Sequence, residues 1–219
     1  LVLTKNRCEK ITYYSPFSNI EYKKTDKEYR EEFIELFQSC VEDTLRSKEN
    51  TSILLSGGLD SNTVAAFAAP FLERNNDKLY SYTSIPEYQH ESREEQYYIE
   101  NERASVEKTA KFFGNIEPRF IECKDMNSWD FAEEIMSFFE LPYKALQNVI
   151  WMLEAMKQAK DENCHIMLTG QYGNTTISFG SFEIYFTTLL KKGKIFELYK
   201  QVNAFNAIYH KSRRFVYKD

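Results

Sequence analysis

The sequence predicts an α/β protein: a parallel sheet with helices on both faces and additional helices toward the C-terminal end. Three observations predict it. Short apolar and β-branched runs over 51–55, 78–85, 119–123 and 165–168 alternate with longer stretches whose apolar residues recur at three- and four-residue intervals. Strands that alternate with helices pair in parallel through right-handed crossovers, so their carboxyl ends gather on one edge of the sheet. Two of the runs end in glycine-bearing turns, at 56–61 and 169–174, at the edge where ligands of such sheets bind.

Composition narrows the class. With 219 residues, 42% of them hydrophobic and 28% charged, the chain can bury one full core. A net charge of -5 with no basic stripe argues against nucleic acid as a partner. The longest apolar stretches, such as 64–72, fall short of the roughly 20 residues that span a bilayer, so no membrane segment is expected. Cys8, Cys40, Cys123 and Cys164 have neither metal-ligand spacing nor a secretory leader beside them, which leads to the expectation of reduced thiols in a cytoplasmic protein. His90, His165 and His210 are too scattered for a histidine-built metal site. The chain starts at Leu1 and ends at Asp219 after a basic stretch, and the expectation is that it is part of something longer, incomplete at its C-terminus.

In order along the chain, residues 1–24 form a lead-in without helical period, including Tyr13, Tyr14, Ser15 and Pro16, and read as an extended segment or edge strand. The domain proper is placed at 25–219. Asp26 opens an amphipathic helix to about residue 47, with Tyr29, Phe33, Phe37, Cys40, Val41 and Leu45 on one face. The first strand, 51–55, runs into the glycine turn, and Val64, Phe67, Ala68, Phe71 and Leu72 then mark a helix over 61–73. The second strand, 78–85, stops before Pro86, and an acidic surface loop with Glu91, Glu94 and Glu95 follows. A helix over 101–113 is terminated by Gly114 and Asn115, and the third strand occupies 119–123. Helices over 129–139 and 148–160 lead to the fourth strand, 165–168, read as wholly buried; the second helix turns Ile150, Trp151, Leu153, Ala155 and Met156 mostly to a core. Residues 182–209 form two helices divided near Gly193, and Lys211, Arg213 and Arg214 make a solvated tail.

The turn Ser56, Gly57, Gly58, Leu59, Asp60, Ser61 carries the chemistry. Glycines let the backbone reverse tightly and approach a ligand. The helix start beyond them has four amides without intrahelical partners and a dipole that favours an anion, so a phosphate fits there. Asp60 adds a carboxylate where Mg2+ bridging phosphate oxygens would sit. The string is not a kinase-type P-loop, because no Gly-Lys-Ser or Gly-Lys-Thr follows.

Residues 54–61, Leu-Leu-Ser-Gly-Gly-Leu-Asp-Ser, resemble the pyrophosphatase (PP) loop of the N-type ATP pyrophosphatases, which cleave ATP between its α and β phosphates. Within that group the wording is most similar to the synthetase domain of the asparagine synthetase family, and the similarity runs from about residue 11 to about 199. The resemblance implies the adenine nucleotide alpha hydrolase-like fold, with ATP and Mg2+ as cofactors. It implies Ser56, Gly57, Gly58, Asp60 and Ser61 on pyrophosphate and metal, and Leu54, Ile85 and Gly170 on adenosine. The family's catalytic positions fall on Ser56, Asp60 and Gln171, and its metal positions on Asp60 and Asn174.

The second loop departs from the family. Where the family reads Ser-Gly-Glu-Gly-Ser-Asp, this chain has Thr169, Gly170, Gln171, Tyr172, Gly173 and Asn174. Gln171 replaces a catalytic Glu and cannot act as a general base, and Asn174 replaces a metal-binding Asp without its charge. The reading is an ATP-dependent amide-forming synthetase that adenylates a carboxylate, aspartate by resemblance, and passes ammonia or an amine to it. Its partners would be that small carboxylate, the amine or ammonia donor, and a glutaminase domain or subunit, since Cys8 is internal and its segment too short for one. The alternatives are a nucleotide-binding homologue without turnover, a peptide-cyclising or small-amine ligase, and another enzyme with the same loop, such as a tRNA-modifying one.

Overall fold

The structure, a computed structural model, describes residues 2–15, 23, 25–88, 101–124, 126–141, 145–177 and 180–209. Pro16 of the lead-in, the acidic stretch with Glu91, Glu94 and Glu95, His90, and the tail with His210, Lys211, Arg213 and Arg214 lie outside them. The chain divides into two compact units, residues 1–46 and 47–219.

In the first unit, β1 (Val2–Thr4) and β2 (Arg7–Glu9) pair antiparallel, with Thr4 opposite Arg7, so the lead-in contains a short hairpin. The helix α1 (Asp26–Thr44) begins where Thr25 caps it, its hydroxyl accepting from the Glu28 amide at 3.2 Å, and Asp26 and Glu28 complement the dipole of its first turn. It ends before residue 47. Of the six residues expected on its apolar face, Val41 and Leu45 are buried, whereas Tyr29, Phe33 and Cys40 are exposed. Helical spacing gathers apolar residues on one side, but it does not fix how much of that side is covered.

The second unit is built on a four-stranded parallel sheet in the order β5-β4-β3-β6. Its strands are β3 (Asn50–Leu54), β4 (Leu79–Ser84), β5 (Ile116–Ile121) and β6 (Cys164–Thr169). Between them run α2 (Leu59–Arg74), α3 (Arg103–Phe113), α4 (Ala132–Phe139) and α5 (Leu146–Asp161), and α6 (Phe182–Lys191) and α7 (Ile195–Tyr209) follow. The step from β3 through β4 to β5 moves outward one strand at a time, while the return from β5 to β6 crosses back past β3. Right-handed crossovers therefore put α2 and α3 on one face and α5 on the other. On the α5 face, Leu54, Tyr82, Ile121, Ala155 and Ala159 form one cluster, flanked by Trp151 and Met167. The alternate residues Ile53, Leu79 and Thr83 are buried on the opposite face, where α2 lies against the sheet and buries the small side chains Ala65, Ala68 and Ala69.

Two strands differ from expectation. β5 begins at Ile116, three residues early, and includes Pro118. Among the described residues it is an edge strand paired only with β4, so the missing proline N–H costs no ladder bond on its open side. β6, expected to be wholly buried, is the opposite edge: only Leu168 is buried and His165 is exposed. The helix expected from 129 starts at Ala132, and α5 starts at Leu146. Gly114 and Gly193 follow α3 and α6 in the left-handed region, with φ of 78° and 66°, as the helix ends there require. Among the described residues no helix is long and apolar enough to cross a membrane.

Beneath the α5 face, the fully buried Tyr82 donates its hydroxyl to Glu162 Oε2 at 2.7 Å, and Arg119 Nε donates to Oε1 of the same carboxylate at 2.8 Å. Burial first, and then the Glu162 carboxylate, hold the Tyr82 phenol far above its ordinary range near 10. Glu162→Ala leaves the buried Tyr82 hydroxyl without its acceptor and takes one of several partners from Arg119, and is expected to cost about 1–3 kcal/mol, more than Tyr82→Phe, which leaves Glu162 with Arg119. Urea unfolding checks the order. Because the raised phenol stays protonated in the folded state, its stabilisation is complete below about pH 10 and is lost as pH rises above it, a trend that Tyr82→Phe should abolish.

Candidate active site

Both glycine turns stand at carboxyl ends of adjacent strands. β3 and β6 pair in register, Leu54 beside Thr169, so the residues that follow each strand emerge side by side. They border an open cavity of about 520 Å3. From the first turn it is lined by Leu54, Ser56, Gly58, Asp60 and Ser61, together with Leu59, and from the second by Thr169, Gly170, Gln171 and Asn174. Trp151, from α5, completes the wall.

The first turn is knitted by its two serines. The Ser56 and Ser61 hydroxyls lie 2.8 Å apart, the Ser56 amide donates to Ser61 Oγ at 3.1 Å, and the Gly58 amide donates to Ser56 Oγ at 3.1 Å. Ser61 is buried among the residues it orders. α2 starts at Leu59 with Gly58 as its N-cap and Asp60 in its first turn, where a negative side chain complements the dipole.

The second turn is pressed against the start of α2. A Cβ on Gly170 would lie 2.5 Å from the Ser61 backbone nitrogen, and one on Gly173 would lie 2.3 Å from Asp60 Cγ. Only glycine permits either approach. Tyr172, between them, takes a left-handed conformation with φ of 65°, which costs a residue with a Cβ about 1–2 kcal/mol. It is held there because its carbonyl accepts from the Thr175 amide and hydroxyl, both at 3.0 Å, and from the Thr176 hydroxyl at 2.9 Å.

Of the residues singled out in the sequence, Leu54, Ser56, Gly58, Asp60, Ser61, Gly170, Gln171 and Asn174 thus share one cavity. Gly57 and Ile85 are not among its lining residues. Gly57 turns to the other side, where its amide donates to Glu102 Oε1 at 3.2 Å and a Cβ would sit 3.1 Å from that of Ser105. Ile85 is buried and extends the sheet ladder, its amide donating to the Ile121 carbonyl at 2.9 Å. Trp151 escaped the sequence reading because helical spacing assigned it to the core, and its ring does flank the Leu54 cluster while it also borders the cavity.

Asp60 is the one carboxylate among the lining residues, and none of them is basic. Among the described residues no three His, Cys, Asp or Glu side chains gather as a metal site would need. The donor set that is present, one carboxylate at Asp60 and one amide oxygen at Asn174, suits Mg2+, which takes few protein ligands and fills its shell with waters and phosphate oxygens.

The model of the family described as asparagine synthase matches residues 32–216. No curated protein matches the chain. Among solved structures, an NAD+ synthetase from Burkholderia pseudomallei is 18% identical, with 62% of this chain and 60% of that one covered and a TM-score of 0.38. A glutamine-dependent NAD+ synthetase from Acinetobacter baumannii, solved with ADP, is 17% identical, with 75% and 29% covered and a TM-score of 0.39. The matched part spans less than two thirds of either synthetase, and likeness at these scores carries no chemistry across.

Proposed function

The chain belongs to the asparagine synthase family, whose members are ATP-using, amide-forming ligases, and from this premise we propose that it adenylates a carboxylate and transfers ammonia or an amine to it. The observation that supports this most is the meeting of the two glycine turns at one cavity that holds Asp60 and Asn174. Aspartate is the proposed carboxylate by family, asparagine the product, and a glutaminase domain or subunit one proposed source of ammonia.

In the first step a carboxylate oxygen attacks the α-phosphorus of ATP, the bond to the β-phosphate oxygen breaks, and an acyl-adenylate and pyrophosphate form. Ser56, Gly58, Asp60 and Ser61 surround the place for the leaving diphosphate, where the first-turn amides and dipole of α2 favour negative charge. Asp60 and Asn174 would hold Mg2+, which supplies neutralising charge to the phosphates when bound. Leu54 and Trp151 offer an apolar wall for the nucleoside. In the second step the amine nitrogen attacks the carbonyl carbon, AMP leaves with the C–O electron pair, and the amine proton goes to an acceptor other than Gln171, whose amide cannot take it.

The test is incubation of the chain with ATP, Mg2+, aspartate and an ammonium salt, with AMP and pyrophosphate measured. Release that depends on the carboxylate is expected. Nucleotide binding without release, across aspartate and a panel of other carboxylates, would favour the second reading, a binding homologue, which Gln171 and Asn174 support. No nucleotide binding at all would remove both.

A further inference from the structure

The first turn is braced from behind by a side chain outside the family-like string. Asn62, in the first turn of α2, donates from Nδ2 to the Ser56 carbonyl at 2.8 Å and to the Gly58 carbonyl at 2.7 Å. Its Oδ1 accepts from the Thr109 hydroxyl of α3 at 2.8 Å. The amide has only one sensible orientation, because a flip would set Oδ1 against two carbonyl oxygens and Nδ2 against a hydroxyl that would then have to reverse. Carbonyl and amide of a trans peptide point in opposite directions. Holding Ser56 O and Gly58 O on Asn62 therefore turns the following N–H groups, those of Gly57 and Leu59, away from Asn62. The Gly57 amide is received by Glu102, at the N-cap of α3, and Leu59 is on the cavity wall.

We infer that Asn62 is a positioning residue for the diphosphate turn, setting its peptide planes through two carbonyls and itself fixed by Thr109, so that α3 acts as the brace of the nucleotide site. This rests on the reading of the turn as the ATP site. Asn62 is not among the residues that line the cavity, and its contribution is to hold the peptide planes of the turn, with the Gly57 amide received by Glu102 and Leu59 on the cavity wall.

Three variants of the full chain test it. Asn62→Asp keeps the shape but removes both N–H donors and faces the carbonyls with oxygen. Thr109→Val removes only the hydroxyl, and Thr109→Ser retains it. The readouts are the dissociation constant for ATP with Mg2+, hydrogen exchange of the Gly57 and Leu59 amides in the nucleotide-free protein, and the thermal midpoint. Asn62→Asp is expected to weaken ATP about 10- to 100-fold and Thr109→Val about 2- to 10-fold, in keeping with two and one neutral hydrogen bonds. Thr109→Ser should bind within about twofold of the parent, since its hydroxyl can make the same bond. Amide exchange should quicken in the first two only, with the Thr109→Val midpoint close to that of Thr109→Ser. Unchanged exchange in Asn62→Asp and Thr109→Val overturns the inference, as does a loss of ATP affinity shared equally by Thr109→Ser. If the parent binds no ATP, the reading of the turn fails, and quickened exchange in the same two variants still decides whether Asn62 orders it.

Discussion

Asp60→Asn is expected to reduce pyrophosphate release by about 10²- to 10³-fold, the size of effect that follows loss of a group stabilising charge in a transition state. The substitution keeps the shape and removes the only charge among the residues that line the cavity. With Asn174 opposite, the site would be left with two amide oxygens and no formal charge for a metal that carries ATP's phosphates. The fold should survive. The lost interaction with the α2 dipole is worth about 0.3–1 kcal/mol, so the urea midpoint should move little while the rate collapses. A variant that releases pyrophosphate at the parental rate would separate Asp60 from the chemistry.

Gly170→Ala should be nearly as damaging by a different route. Its new methyl would sit 2.5 Å from the backbone nitrogen of Ser61 and 2.8 Å from its Cα, and neither atom can swing aside. The two turns must separate, and a displacement near 1 Å in a positioned site costs about 10²-fold in rate. Overpacking of this kind also costs about 1–3 kcal/mol of stability. Gly58→Ala is the contrast: the nearest atom to its Cβ is the Ser56 hydroxyl at 3.2 Å, which has to give by only a few tenths of an ångström. Rates and urea midpoints of the pair check the argument, and equal damage from both would show that crowding against α2 is not the cause.

What was legible in the sequence is what is encoded locally. The apolar runs, the helical spacing and the two glycine turns led to a parallel sheet, and the cavity gathers eight of the residues singled out. Position within the sheet was not legible. The third strand was expected from 119, whereas β5 starts at Ile116 and accommodates Pro118 because it lies at an edge. The fourth strand looked buried from its Ile166, Met167 and Leu168, but the order of strands leaves its other side open. Contacts between distant residues left no trace at all: Glu102 meets Gly57 across 45 positions and Thr109 meets Asn62 across 47, and no periodicity records such pairs. The hairpin at residues 2–9 was missed because two three-residue strands are too short to show alternation.

The placement of β6 bears on how the second turn is held. Among the described residues the strand shares hydrogen bonds with one neighbour, β3, which is itself paired on both sides. Gln171, Tyr172 and Asn174 all sit beyond β6, whereas Ser56, Gly58 and Asp60 sit beyond β3. The half of the cavity that hangs from the sheet's margin is thus joined to the frame by one strand ladder and by the close approach of Gly170 and Gly173 to the start of α2, so its position depends on those two glycines as much as on the sheet.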